Sequence, residues 1–121
     1  MIDETASRRT KILRAFDWEM QLAVDARKKS DLALAFHHYE RAHILSQRFT
    51  WPHIKSHLGM LRIGYLRNDL REIFGQCVRI VAALMFSKIW VPIGNTGGAN
   101  VGALKPMPIP DDLKILLKTY D

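Results

Sequence analysis

The sequence contains a single cysteine, Cys77, among 121 residues. It therefore cannot form an intramolecular disulfide, and a chain of this length can instead bury one hydrophobic core. The most apolar stretch, residues 80–93, is interrupted by Lys88 and Pro92 and is too short to span a bilayer. The first residues lack the apolar segment of a secretory signal. These absences predict a single domain, residues 1–121, in the cytoplasm.

Acidic residues are fewer than basic ones, 12 against 18, which gives a formal net charge of +6. Most of the basic residues are spread from Arg8 to Arg79, with one tight run at residues 27–29. A nucleic-acid-binding protein more often gathers them on a recognition helix or among exposed aromatic residues. We therefore expect a solvated basic surface, with no nucleic-acid or membrane partner. A protein partner and the oligomeric state stay open.

Proline and glycine are scarce before Trp90, whereas residues 91–110 hold four of the five prolines and four of the seven glycines. Apolar residues up to about residue 88 recur at helical spacing. This division predicts an all-α fold with a compact antiparallel arrangement of four helices over about 8–88. An extended Gly/Pro-rich tail, about 89–121, should dock across the helices and end in a short helix capped by Asp111.

Apolar spacing predicts the first helix from roughly Ser7 to Lys29. Capping residues set the expected starts of the next three. They are Ser30 or Asp31 for the second helix, Thr50 for the third, and Asp69, with Glu72 three residues on, for the fourth. The apolar stripes predicted to be buried are Ile54, Leu58, Leu61 and Tyr65 in the third helix and Ile73, Cys77, Ile80, Val81 and Leu84 in the fourth. Trp18, Trp51 and Trp90 are expected to be packing anchors.

Two segments of the chain share a layout of large and small residues. The first comprises Leu22, Ala23, Ala26, Asp31, Leu32, Ala35, Tyr39 and Ala42, and the second comprises Met60, Leu61, Asn68, Asp69, Leu70, Ile73 and Ile80. The layout resembles that of tetratricopeptide helical hairpins. Because two units are fewer than a freestanding solenoid needs, we expect a compact bundle with tetratricopeptide-like hairpins.

All five histidines lie within residues 37–57. His53 and His57 are four residues apart, and Glu40 and His43 are three apart, so each pair occupies one helical face. Antiparallel packing of the second and third helices would bring His43 and Gln47 close to His53 and His57. Three imidazoles with Glu40 would form a nitrogen and oxygen site for zinc or another divalent transition metal.

The histidines have a simpler interpretation as well. His43 lies in the middle of an apolar helical face, where a core histidine is commonly hydrogen-bonded to a carbonyl or a hydroxyl. No HExxH motif is present, and His37 and His38 are expected at the solvent or at a rim. The spacing of the histidines therefore leaves both interpretations open.

Residues 94–100 form a glycine-rich segment with neither the Gly-Lys-Ser/Thr ending of a phosphate loop nor the surroundings of a Rossmann fingerprint. One interpretation is a tight turn that lets the tail dock. The other is an anion-binding nest of backbone amides. The candidate ligand-binding residues are Gln47, Asn95, Thr96, Gly97 and Gly98.

Four phrases of the sequence resemble a small bacterial family, the domain of unknown function numbered 3703. They are HYERAHILSQ, HIKSHLGMLR, DLREIFGQCVRI, and PIGNTGGANV followed by PMPIPDDL. The resemblance implies no established activity. It does pick out Glu40, His43, Gln47, His53, His57, Asn95, Thr96, Gly97 and Gly98, which implies one site shared by the histidine window and the glycine-rich segment.

The leading functional hypothesis is a small cytosolic helical protein with a His/Glu site for a divalent metal, partly covered by the tail. The first alternative is a protein-interaction module that uses a groove of the tetratricopeptide-like hairpins. The second is a small-molecule enzyme with His43 as a base and the glycine-rich segment as an oxyanion or phosphate cradle. Whether the protein is an enzyme stays open at this point.

Overall fold

The computed structural model describes residues 4–86, 95–102 and 105–118. Within these ranges the chain forms helices and no strands, which confirms the predicted all-α class. The helices are α1 (Glu4–Lys28), α2 (Leu32–Ser46), α3 (Thr50–Leu66), α4 (Leu70–Phe86) and α5 (Asp111–Leu117). Consecutive long helices pack side by side, and α5 rests on α1 and α2. In the part of the chain that is described, no helix combines the length and apolarity needed to cross a bilayer.

The α1–α2 and α3–α4 hairpins turn in the same way. Ser30 and Asn68 follow the first helix of each hairpin in the left-handed conformation, with φ of 61° and 54°. The next amide, of Asp31 or Asp69, donates to a carbonyl five residues earlier at 2.9 Å, which is the Schellman ending. Each aspartate then caps the following helix, because its Oδ1 accepts a backbone N–H three residues on at 3.1 Å. The two hairpins therefore share one local construction.

The hydrophobic core has two parts that α1 joins. One comprises Ile12, Phe16, Ala42, Ile44, Leu45 and Leu113, and the other comprises Ala23, Ala26, Ala35, Tyr39, Met60 and Ile63. Close approach between α2 and α3 depends on Gly59, because a Cβ at this position would lie 2.3 Å from the ring of Tyr39. The small residues of the second part thus set the helix spacing that carries the site described below.

A network of charged groups attaches α5 to the bundle. The Nε of Arg41 donates to Glu19 at 2.8 Å, and its terminal nitrogens contact both carboxylate oxygens of Asp112. The Nδ1 of His38 lies 2.7 Å from the other Glu19 oxygen. Leu113 is buried in the core beneath these contacts. The described end of the tail is therefore docked.

The predicted buried stripes of α3 and α4 are wrong at several positions. The predicted core residues that are exposed are Leu58, Tyr65, Cys77, Val81 and Leu84, and the predicted anchors Trp18 and Trp51 are exposed too. The reason is that both helices turn a polar stripe inward, where its side chains find hydrogen-bond partners. Trp90 and the rest of residues 87–94 lie outside the described residues.

Candidate metal centre

Three histidine side chains meet between α2 and α3. His43 comes from the last turn of α2, whereas His53 and His57 come from successive turns at the start of α3. The short α2–α3 connection places these two helix ends side by side. The residues are only 3%, 7% and 2% exposed, respectively. The cluster is therefore enclosed by protein.

The three Nε2 atoms converge on one point. Nε2 of His53 lies 2.9 Å from Nε2 of His43 and 3.1 Å from Nε2 of His57. The ring centroids are 4.6 to 4.8 Å apart. One nitrogen from each residue lies within 4.8 Å of the others, which is close enough for the three to hold a metal ion.

Two of the rings are held from behind by oxygen acceptors. The Nδ1–H of His43 donates to the backbone carbonyl of Asn95 at 2.7 Å, and the Nδ1–H of His57 donates to Oε1 of Gln76 at 2.6 Å. Because these oxygens only accept, both hydrogens must reside on Nδ1. The Nε2 atoms of His43 and His57 consequently present lone pairs to the centre of the cluster.

The orientation of the Gln76 amide is fixed by its own partners. Its Nε2 donates to the carbonyl of Gly97 at 2.7 Å and to Oε1 of Glu72 at 3.2 Å. Both partners are acceptors, so the nitrogen must face them and the oxygen must face His57. The tautomer of His57 is thus determined by a chain of contacts that reaches the glycine-rich segment.

The cluster has fewer N–H groups at its centre than lone pairs to accept them. Neutral His53 carries a single N–H; placed on Nε2, it can donate a full hydrogen bond to His43 or to His57 but not to both. The Nδ1 of His53 is buried and has no hydrogen-bond partner among the described residues. An unpaired buried acceptor costs about 1–3 kcal/mol, and a cation at the centre would pair with all three nitrogens.

The imidazoles are neutral near pH 7. Burial lowers the pKa of His43 well below its usual 6.5, with a further lowering by the neighbouring histidines. Burial lowers the pKa of His53 to about 4. For His57, burial and then the charge of His53 lower the pKa to about 3, against the opposing hydrogen bond of Gln76. Neutral imidazole is the form that coordinates metals.

The glycine-rich segment closes the cluster from the side of His43. The Asn95 side chain holds this segment in shape, because its Nδ2 donates to the carbonyls of Gly102 and Lys105 while its Oδ1 accepts the N–H of Gly97. Gly97 has φ +82°, and a Cβ there would lie 2.6 Å from the imidazole of His43. Only glycine allows this backbone to lie against the ring.

Two amides of the segment, and that of Val101 just after it, donate within the chain. The N–H of Gly97 donates to Asn95, and the N–H of Val101 donates to the carbonyl of Gly98. The N–H of Ala99 donates to Oε2 of Glu72 at 2.7 Å. At the Ala99 amide, the carboxylate of Glu72 thus takes the place that an external anion would have in an amide nest.

Glu40, the remaining predicted metal ligand, is not part of the three-histidine group. Gln47 is buried. Glu40 lines a neighbouring cavity of about 170 Å³, to which Glu72 also contributes. Burial raises the pKa of Glu40, and the neighbouring Thr96 side chain partly offsets that rise. The cavity connects to the cluster through the contacts of Glu72 with Gln76 and of Gln76 with His57.

Gln76 is the functional residue that the sequence interpretation missed, and Glu72 was assigned only a capping role. Their spacing, i and i+4, places both on one face of α4. That polar pair faces inward, and most of the large apolar residues of the helix face outward. The signal was present in the sequence, although the partners of Gln76 lie 16 to 21 residues away.

Comparison with known proteins identifies a family. A family model described as a protein of unknown function, DUF3703, matches residues 10–117. No curated protein and no solved structure matches the chain. The family description carries no activity, so the chemistry of the cluster has to be argued from its geometry.

Proposed function

We propose that this chain, which belongs to the protein family of unknown function DUF3703, binds one divalent transition-metal ion through His43, His53 and His57. The observation that carries the proposal is the convergence of three neutral Nε2 atoms at separations of 2.9 and 3.1 Å between neighbours. Imidazole nitrogen suits zinc, copper, iron and nickel, and zinc is the ion for which a buried set of nitrogen ligands is most typical.

The cluster needs little change to accept zinc. Nitrogen ligands at 2.0–2.1 Å in tetrahedral directions lie about 3.3 Å from one another. The observed separations are a few tenths of an ångström shorter. Small outward movements of the rings would therefore open the site, and His53 would then carry its hydrogen on Nδ1.

The contacts behind the rings support metal binding rather than a plain core role. Metal-bound histidines usually donate their second N–H to a carbonyl or carboxylate, which fixes the ring and its tautomer. The pairs His43–Asn95 and His57–Gln76 have this arrangement. A histidine that served only the core would not need its second nitrogen directed at two further imidazoles.

The burial of the cluster favours a structural or storage role for the ion. Catalytic zinc keeps one position open to water or substrate, whereas structural zinc is closed off. Three histidines would leave a fourth position on the ion, which in this enclosed cluster would have room only for a small ligand such as water. All three rings are buried, and the segment around Gly97 covers His43. We therefore propose that the ion joins α2 and α3 and, through Asn95, fastens the tail to them.

Elemental analysis of protein purified without a histidine tag tests the proposal. We expect about one equivalent of zinc or a related ion per chain, and its loss in the double variant His53→Ala/His57→Ala. The matched control is His37→Ala, since His37 is exposed and outside the cluster. Circular dichroism establishes that each variant is folded.

Metal-free wild-type protein gives the complementary test. Added zinc should raise its melting temperature in a concentration-dependent way, as expected for an ion that binds the folded state. If the purified protein contains no metal, and zinc, cobalt, nickel and copper all leave the melting temperature unchanged, the proposal is wrong.

A further inference from the structure

Helix α4 has two faces of opposite character. Its inner face carries Glu72, Gln76 and Ala83, which are buried. The large or sulfur-containing side chains exposed on its outer face are Leu70, Phe74, Cys77, Val78, Val81, Leu84 and Met85. Among the exposed side chains described on α4, only Arg71 is charged. Such a face is unusual for a helix at a protein surface, where the outer side is normally polar.

The outer residues follow a coiled-coil spacing. Leu70, Phe74, Cys77, Val81 and Leu84 are separated by four, three, four and three residues. This is the heptad alternation that keeps one apolar seam directed at a partner helix. We call these five residues the α4 seam. Val78 and Met85 widen it on one side.

We propose that the α4 seam packs against the same seam of a second copy of this chain and forms a homodimer. The exposed area of the seam and its two flanking residues is roughly 700 Å² per subunit, when each large side chain is given a full area of about 150–250 Å² and scaled by its exposed fraction. A stable protein interface buries about 800 Å² on each partner. The largest apolar patch of a typical monomer is about 300–600 Å², so this face exceeds what a monomer usually leaves exposed.

The shape and charge of the face favour a second copy over a lipid surface. A helix that lies on a membrane usually carries several basic residues along its polar side. The other basic residue of α4, Arg79, donates to the carbonyls of Gly75 and Val101 and is therefore used inside the protein. An uncharged heptad ridge is complementary to an identical ridge related by a two-fold axis.

The position of Cys77 supplies a direct reporter. It is the middle residue of the α4 seam and the only cysteine of the chain. Packed helices lie about 8–10 Å apart, so a two-fold pairing centred on the seam would bring the two thiols to about that separation. A short bis-maleimide linker should therefore join two chains through Cys77.

Analytical ultracentrifugation of the full chain decides the matter. We expect the wild-type protein to have twice the 13.9 kDa mass of one chain. Phe74→Glu and Val81→Glu, each tested alone, should reduce the measured mass to that of the monomer, while the Ile115→Glu protein should stay dimeric. Ile115 is the matched control because it is also exposed and apolar but lies on α5, away from α4. Circular dichroism establishes that each variant is folded.

Cross-linking of the same samples gives an independent test of the dimer. The wild-type protein should be joined by the linker, and Cys77→Ser should not, although its sedimentation should still be that of a dimer. A wild-type protein that is monomeric at all concentrations overturns the proposal, whether the face is covered by the chain's own residues 87–94, by lipid or by another protein. If the Phe74→Glu protein and the Val81→Glu protein are both still dimeric, the proposal is overturned as well.

Discussion

The imidazole of His57 and the amide of Gln76 are hydrogen-bonded across the contact between α3 and α4, with Nδ1 and Oε1 2.6 Å apart. The same amide donates to the carbonyl of Gly97. One side chain thus connects the histidine cluster, the fourth helix and the glycine-rich segment. The behaviour of Gln76 variants is therefore a sensitive test of the site.

We expect Gln76→Leu to weaken zinc binding by 10- to 100-fold, because His57 loses the acceptor that fixes its ring. The unfolding free energy should also fall by about 1–3 kcal/mol, since the carbonyl of Gly97 is left without its donor. Competition with a chelating dye measures the affinity, and urea unfolding measures the stability. Gln21→Leu is the control, because Gln21 is exposed and bonded only to Asp25 among the described contacts. Equal affinities in the two variants would show that Gln76 does not support the ion.

The approach of Gly97 to His43 gives a second prediction. Gly97→Ala places a Cβ 2.6 Å from the imidazole and forces an L-residue to adopt φ +82°. We therefore expect the unfolding free energy to fall by about 1–3 kcal/mol and zinc binding to weaken. Gly102→Ala is the matched control five residues further along, because its Cβ would meet only Lys105 at 3.7 Å. Thermal unfolding compares the two variants. Similar melting temperatures would contradict the close packing of Gly97 on the ring.

The stability of the metal-free protein should decrease as the pH falls from about 6.5 towards 4. The pKa of His53 is lowered to about 4 and that of His57 to about 3 in the folded protein, both below the usual 6.5. The unfolded chain therefore binds protons in this window while the folded chain does not, and each proton costs up to about 1.4 kcal/mol per pH unit. Urea unfolding at pH 7 and pH 5 measures the effect. His53→Asn/His57→Asn should show a flatter dependence, and a wild-type curve just as flat would be inconsistent with buried neutral rings.

The attachment of the C-terminal helix can be tested within that helix. Leu113 is 2% exposed in the core, whereas Ile115 is 76% exposed. We expect Leu113→Ala to lower the unfolding free energy by about 2–5 kcal/mol and Ile115→Ala to change it by less than about 0.5 kcal/mol. Urea unfolding compares them. Equal small effects would show that α5 does not contribute to the core.

Two helix starts could be predicted from the sequence because they depend on local chemistry, and Asp31 and Asp69 cap helices through amides three residues away. The predicted cap Thr50 is instead the first residue of α3, and Phe49 stands at the cap position without a side-chain cap bond. The grouping of His43, His53 and His57 was also within reach, since helical spacing and a short connection suffice to bring them together.

The orientation of α3 and α4 could not be predicted in the same way. Hydrophobic spacing indicated that Tyr65 and Cys77 were buried, but both are exposed. The polar stripes face inward because their side chains find hydrogen-bond partners there. Those partners are distant in sequence, as with His57 of α3 and Gln76 of α4, which are 19 residues apart. The hydrophobic periodicity of a helix carries no information about partners that lie elsewhere in the sequence. The outward apolar face of α4 agrees with a helix whose partner is another chain, which is the dimer proposed above.

X-ray absorption spectroscopy of the zinc-loaded, untagged protein tests the central claim most directly. We expect three imidazole nitrogens at 2.0–2.1 Å from the ion, with one further light-atom ligand. The His43→Ala variant should lose the bound ion or show fewer imidazoles. A zinc environment of oxygen atoms alone, or one with the same number of imidazoles in the wild type and in His43→Ala, would contradict a metal centre built from His43, His53 and His57.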